Sequence, residues 1–198
     1  MEDVKSILRK NPSLNVNWKN EERYGAMTAL VAACGNGHDS VVSILLAHPD
    51  IDPNLKNERG NTPFWTACFF GSTSGVRLLL QDQRVMVNEP NNYGLTPLRR
   101  AAYGGHYDVI ELWIASGREM DLGKPGDIST DAIGAAKRGE MTKVVRLLER
   151  FKSDPAKTRS DVRLELGINS QYSYSSYSSY YSYYYSLSSL FQISPPLI

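Results

Sequence analysis

Two kinds of apolar block alternate along this chain. The longer kind is a near-continuous helix face: Val41, Val42, Ile44, Leu45 and Leu46, then Leu78, Leu79 and Leu80, then Val109, Ile110, Leu112, Trp113 and Ile114. Before each lies a shorter block opened by threonine: Thr28-Ala29-Leu30, Thr62-Pro63-Phe64 and Thr96-Pro97-Leu98. A threonine hydroxyl accepts from the free N–H groups of a helix start, and proline suits the first helical position because it lacks the N–H that would go unpaired there. The stretch Gly94 to His106, GLTPLRRAAYGGH, therefore predicts a helix capped by Thr96, begun at Pro97 and ended by Gly104 or Gly105. Such a helix is about two turns long, too short to persist alone, so neighbours must pack beside it. Gly37, Gly71 and Gly105 stand 34 residues apart, as do Leu45, Leu79 and Trp113, and Asn54 and Asn88. A fixed period of this size predicts stacked units, each a hairpin loop, a short helix, a tight turn and a longer helix.

The tetratricopeptide family shares the period, but its Trp, Leu-Gly and Tyr positions are missing here. The order G-x-T-P-L-x-x-A, then G-H, then V-V-x-L-L-L, then V-N closely resembles ankyrin repeats, and "GHDSVVSILL" and "GGHYDVIEL" resemble the helix-turn-helix step of that family. The resemblance covers residues 1–150 and implies an all-α repeat solenoid with hairpin loops. It divides the chain into a partial repeat at 1–17, full repeats at about 18–54, 55–88 and 89–122, and a divergent repeat at 123–150. In the last, Asp131 takes the threonine position one residue out of phase. The front matches only the second helix of a repeat, through Val4, Ile7, Leu8 and Pro12. Further departures are visible. The family's histidine three residues after threonine is replaced by Val31, Trp65 and Arg99, so its hydrogen bonds are expected to be lost. The first hairpin, Trp18 to Ala26, is three residues longer than its counterparts. Gly75 replaces the valines at 41 and 109, and is expected to leave a gap and to weaken its helix.

Beyond the repeats, Ser153 or Asp154 can cap and Gly167 can end a closing helix within 151–167, with Lys157, Arg159 and Asp161 expected to face water. Residues 168–198 hold no Asp, Glu, Lys or Arg and carry eight of the twelve tyrosines, a Ser/Tyr-rich composition that predicts a disordered C-terminal tail. Tail-driven self-association, or recruitment of a second partner by the tail, are functions such a segment could serve.

Charge and chemistry narrow the function. With 22 basic and 21 acidic residues the formal net charge is +1, which gives no general attraction to nucleic acid or an anionic membrane. No apolar run approaches a membrane span, and the N-terminus lacks a signal peptide's apolar core, so an intracellular, cytoplasmic monomer is the default expectation. Cys34 and Cys68 occupy equivalent positions and are expected to be reduced core thiols. The sequence has no phosphate-binding glycine loop, H-E-x-x-H, G-x-S-x-G or C-x-x-C, and no cofactor or metal is expected. His38 and His106 follow the turn glycines and fit turn roles, His48 has no companion ligand nearby in sequence, and Glu21 with Glu22 fits a solvated loop tip.

What the resemblance implies instead is a partner surface on the concave side, made of hairpin tips and the exposed faces of the first helices. Carried onto this sequence it comprises Glu22 and Tyr24; Lys56, Glu58, Arg59, Asn61, Trp65, Phe69 and Phe70; and Asn92, Tyr93, Leu95, Arg99, Arg100 and Tyr103. Aromatic and arginine residues of this kind dominate binding hot spots. The expected function is a non-catalytic protein-interaction module. The alternative is a truncated or decaying member of an expanded family without an independent role. Changing Arg99 and Arg100 together to alanine is expected to weaken binding while leaving the melting temperature nearly unchanged.

Overall fold

The computed structural model describes residues 3–21 and 25–168. The Ser/Tyr-rich segment 169–198, together with Glu22 and Tyr24, lies outside the described residues.

Side-chain caps open the N-terminal helix and the first helix of each later pair. Asp3 caps α1 (Val4–Lys10) by accepting from Ser6 N. A two-residue pair of strands, β1 (Lys19–Asn20) and β2 (Met27–Thr28), is antiparallel, with Lys19 opposite Thr28. There follow helix pairs α2 (Ala29–Gly35) and α3 (Asp39–Leu46), α4 (Pro63–Phe70) and α5 (Thr73–Gln81), α6 (Pro97–Tyr103) and α7 (Tyr107–Ser116), and α8 (Ala132–Arg138) and α9 (Thr142–Ser153). The threonine hydroxyls act as the sequence predicts: Thr28 accepts from Val31 N at 3.2 Å, Thr62 from Trp65 N at 3.1 Å and Thr96 from Arg99 N at 3.3 Å. Asp131 does the same for Gly134 N at 2.8 Å. After α6 the choice between two glycines is settled by conformation, since Gly104 stays right-handed while Gly105 takes φ +72°.

The first helices α2, α4, α6 and α8 contact one another in succession. The second helices form a parallel row from α1 through α3, α5 and α7 to α9, and α10 (Pro155–Glu165) packs on α7 and α9. Between the rows runs one core in which Leu30, Cys34, Phe64, Cys68, Leu79, Leu98, Ile110, Trp113 and Leu148 are fully buried. No single pair of helices could hide so much apolar surface, so the stacking itself supplies the stability. Both cysteines are free and buried; burial pushes the Cys34 thiol up to about 12, with Asp39 adding to the effect, and raises Cys68 well above its ordinary value.

Hairpins and connecting loops are tied unit to unit by repeated side chains. The Asn57 carboxamide oxygen accepts from Arg59 N and Asn61 N, and that of Asn91 from Tyr93 N and Leu95 N. The tips then join, with Glu58 N donating to Gly25 O and Asn92 N to Arg59 O. Gly60, at φ +75°, permits this approach, because a Cβ there would strike Asn92. On the other row Asn54 bridges to Arg84 O and Met86 N, and Asn88 accepts from Asp121 N.

Arginines close the ends of the second helices. Arg84 donates to Leu46 O at 2.8 Å, and Arg118, 34 residues later, to Leu80 O at 3.3 Å, Asp82 O at 3.0 Å and Val85 O at 2.6 Å. For α7 the donors come from α10: Arg159 to Ile114 O at 3.2 Å and Arg163 to Ala115 O at 2.7 Å. The expectation that Arg159 faces water is thus corrected, whereas the Asp161 carboxylate does remain exposed. Arg159 turns inward to the last turn of α7, where Ile114 O otherwise accepts only the long bond from Gly117 N at 3.3 Å, and Asp161 pairs with Arg150 at 3.2 Å.

Gly75 lies buried in the first turn of α5. The gap expected beside it is partly taken up by Ser72. A Cβ would stand 2.7 Å from Ser72 Oγ, which is itself buried without a hydrogen-bond partner, and 3.9 Å from Ala67 Cβ. A hydroxyl is free to rotate away, so Gly75→Ala should stabilise the fold by about 0.5–1 kcal/mol through helix propensity. Thermal and urea unfolding of Gly75→Ala, and of the same change in a Ser72→Ala background, will test this. Loss of stability in the second background would mean that the glycine serves a closer contact than the hydroxyl.

Candidate partner-binding groove

The row of first helices and the linked hairpin tips enclose a groove of about 620 Å³. Its floor is α4, presenting Trp65, Thr66, Phe69 and Phe70, with Arg100 from α6 beside it. Its rim is built by the hairpins through Glu58, Arg59 and Asn61 on one unit and Tyr93 and Leu95 on the next. Thus nine of the residues expected on the concave face line one cavity. Lys56 is drawn aside by Glu89, 2.7 Å away, and by Pro90 O. Asn92 is spent on Glu58 O, and Tyr103 stands exposed next to the two arginines.

Alternation along α4 sets the character of the floor. Trp65 and Phe69, one turn apart, stack with centroids 5.5 Å apart and planes 12° from parallel, and Phe70 meets Phe69 edge-on at 4.7 Å. Trp65 is almost wholly buried, whereas Phe70 keeps 58% of its surface exposed and Tyr93 keeps 67%. The Arg100 guanidinium lies 4.5 Å from the Phe69 centroid, 5.8 Å from that of Trp65 and 5.9 Å from that of Tyr103. Burial lowers the pKa values of Arg99 and Arg100, yet an arginine keeps its charge throughout the ordinary pH range.

Two of the expected contact residues carry a structural bond instead of an open face. Trp65 Nε1–H donates to Leu95 O at 2.7 Å, and Arg99 Nε–H to Ile128 O at 3.1 Å. Both stand where the family's histidine would be, and both reach the hairpin of the next unit. The expectation that inter-repeat bonds are lost at this position is therefore corrected for Trp65 and Arg99: a longer donor replaces the ring. Arg99 is also buried, so removing it together with Arg100 will lower stability, contrary to the expectation of an unchanged melting temperature. Asn57 and Asn91, which shape the rim, escaped the sequence reading although they stand 34 residues apart, each three before a glycine.

The histidines do turn and loop work. His106 Nε2 lies 3.0 Å from Phe69 O, linking the third unit's turn to the second unit's helix, and His48 Nδ1 accepts from Asp50 N at 3.2 Å. Burial lowers the pKa of His48, against an opposing pull from Asp50. Among the described residues no three of His, Cys, Asp and Glu come together as a metal-binding group. Nor is any helix among them long and apolar enough to cross a membrane.

The fold is that of a stacked helix-turn-helix solenoid. A sequence profile for ankyrin repeats in three copies matches residues 2–84 and again residues 49–124. The chain belongs to the ankyrin-repeat family, whose repeats are generally protein–protein interaction modules. No match was found among curated proteins.

Proposed function

We propose that the chain is a non-catalytic module, working inside the cell as a monomer, that holds a protein partner in the groove between its second and third full repeats. The observation that carries this reading is the exposure of Phe70 and Tyr93 on the lining of a single groove. Neither ring contributes much buried area to the fold, and large aromatic rings on a shared concave surface are the usual anchors of an interface. The double substitution Phe70→Ala with Tyr93→Ala tests it. Partners recovered from the source cell by the full chain should be lost to this variant, with affinity falling by about 2 kcal/mol or more while the melting temperature stays put. A partner that binds the variant as well as the parent would move the interface elsewhere. Recovery of none at all would favour the decaying-repeat alternative.

A further inference from the structure

The groove contains one feature that its apolar lining does not explain. The Arg100 side chain makes no hydrogen bond or ion pair with any described residue, and its Nε is buried with no partner. Every neighbouring arginine on this side is employed or open to water. Arg99 is bound to Ile128 O, and Arg59 stands exposed at the rim. A guanidinium carries five N–H donors and is costly to leave unpaired when partly desolvated. Here it is retained by the faces of Phe69, Trp65 and Tyr103, which offset part of that cost and hold it in place over the floor. Its two terminal nitrogens, unlike Nε, are not buried. The donors are thus oriented before any ligand arrives.

We infer that Arg100 is the anchor for a carboxylate, supplied by an Asp or Glu side chain inside an extended partner segment that places apolar side chains on both flanks. This rests on the reading of the groove as a binding site. The flanks follow from the order of residues along the floor. α4 runs from Trp65, bonded to the Leu95 hairpin, to Phe70 beside the turn, and the Arg100 cation faces Trp65 and Phe69 in between. Apolar surface therefore extends on either side of the charge, with Tyr93 and Leu95 on one side and Phe70 on the other. A carboxylate at a chain end could use only one of them. Arg–carboxylate pairing in an aromatic frame is strengthened by partial exclusion of water. Glu58 and Arg59 offset each other on the first rim, which leaves Arg100 as the unbalanced charge of the lining. That makes a single buried acid among apolar residues a better match than a polyacidic tract.

The test is a selection from random dodecapeptides displayed on phage, using the full chain as bait and the Phe70→Ala/Tyr93→Ala chain to mark groove-dependent binders. The best binder is then synthesised as an amide, as its Gln (or Asn) analogue, and as that analogue with a free C-terminal carboxylate, and each is titrated by calorimetry. The expected result is an acid flanked by Leu, Phe, Tyr or Trp, with the amide analogue weaker by about tenfold or more. The Arg100→Gln chain, checked by its melting curve, should no longer distinguish acid from amide. Because the comparison of peptides uses the parent chain, it holds even if Arg100→Gln folds poorly. Groove-dependent binders without an acid, or equal affinity of the amide analogue, would overturn the anchor and leave the groove standing. Full recovery by the free C-terminus would overturn the internal-segment assignment. Displacement of the peptide from the groove by single-stranded oligouridylate at lower concentration would overturn the choice of a peptide partner. Absence of any groove-dependent binder would remove the groove reading and the anchor together.

Discussion

Arg118→Met should cost about 3 kcal/mol of unfolding free energy, the sum of several hydrogen bonds made by one charged group and lost together. The guanidinium serves Leu80 O, Asp82 O and Val85 O at once. Leu80 is in the last turn of α5, where carbonyls have no helical partner, and Asp82 and Val85 belong to the loop that follows. Methionine fills much of the same volume but donates nothing, so Leu80 O and Val85 O must find water in a half-buried place, while Asp82 O keeps its bond from Val85 N. Arg118→Lys keeps the charge and should recover only part of the loss, because a single ammonium cannot reproduce the fork that spans three carbonyls. Urea titration of the three proteins measures this. A loss below about 1 kcal/mol for Arg118→Met would show that solvent satisfies the carbonyls without help.

A larger loss, about 4 kcal/mol, is expected for Trp113→Ala. Trp113 is completely buried, stands edge-on to Phe64 with centroids 4.9 Å apart, and donates its indole N–H to Glu119 O at 3.1 Å. Removing it empties the contact between α4 and α7 and strands a loop carbonyl. Trp113→Leu separates local sequence preference from packing, since leucine is what the equivalent positions 45 and 79 carry. It should still destabilise, though less, because Phe64 is placed to meet an indole. Calorimetric unfolding of both variants will decide, and a Trp113→Leu protein at least as stable as the parent would mean that the Phe64 contact contributes nothing.

The repeat architecture was legible because its signals are local. A threonine or aspartate three residues before the N–H it serves can be read from the chain, as Thr62 and Asp131 show. So can the beat of buried leucines. The groove was legible in outline for the same reason, since residues at one position of successive units come together wherever the units stack. Invisible were bonds whose partner lies some thirty to fifty residues away and is a backbone carbonyl. A carbonyl has no letter in the sequence, so nothing distinguished Arg99, bound to Ile128 O, from Arg100, whose guanidinium has no hydrogen-bond partner among the described residues. Arg159 and Arg163 were obscured likewise by lying on a helix that reads as polar on most sides.

The arginines that reach back along the second-helix row have a consequence for how such a chain can change its length. The bonds from Arg84 to Leu46 O and from Arg118 to Leu80 O both span 38 residues, so excising one whole unit, such as residues 55–88, would bring Arg118 to the Leu46 carbonyl that Arg84 now serves. The joint would be resealed by residues already present, and the array would shorten without a repair mutation. The groove has no such tolerance. Its floor comes from one unit and Arg100 from the next, so the same excision would erase the site while sparing the scaffold. Length is the expendable variable in this architecture, and identity resides in a single junction.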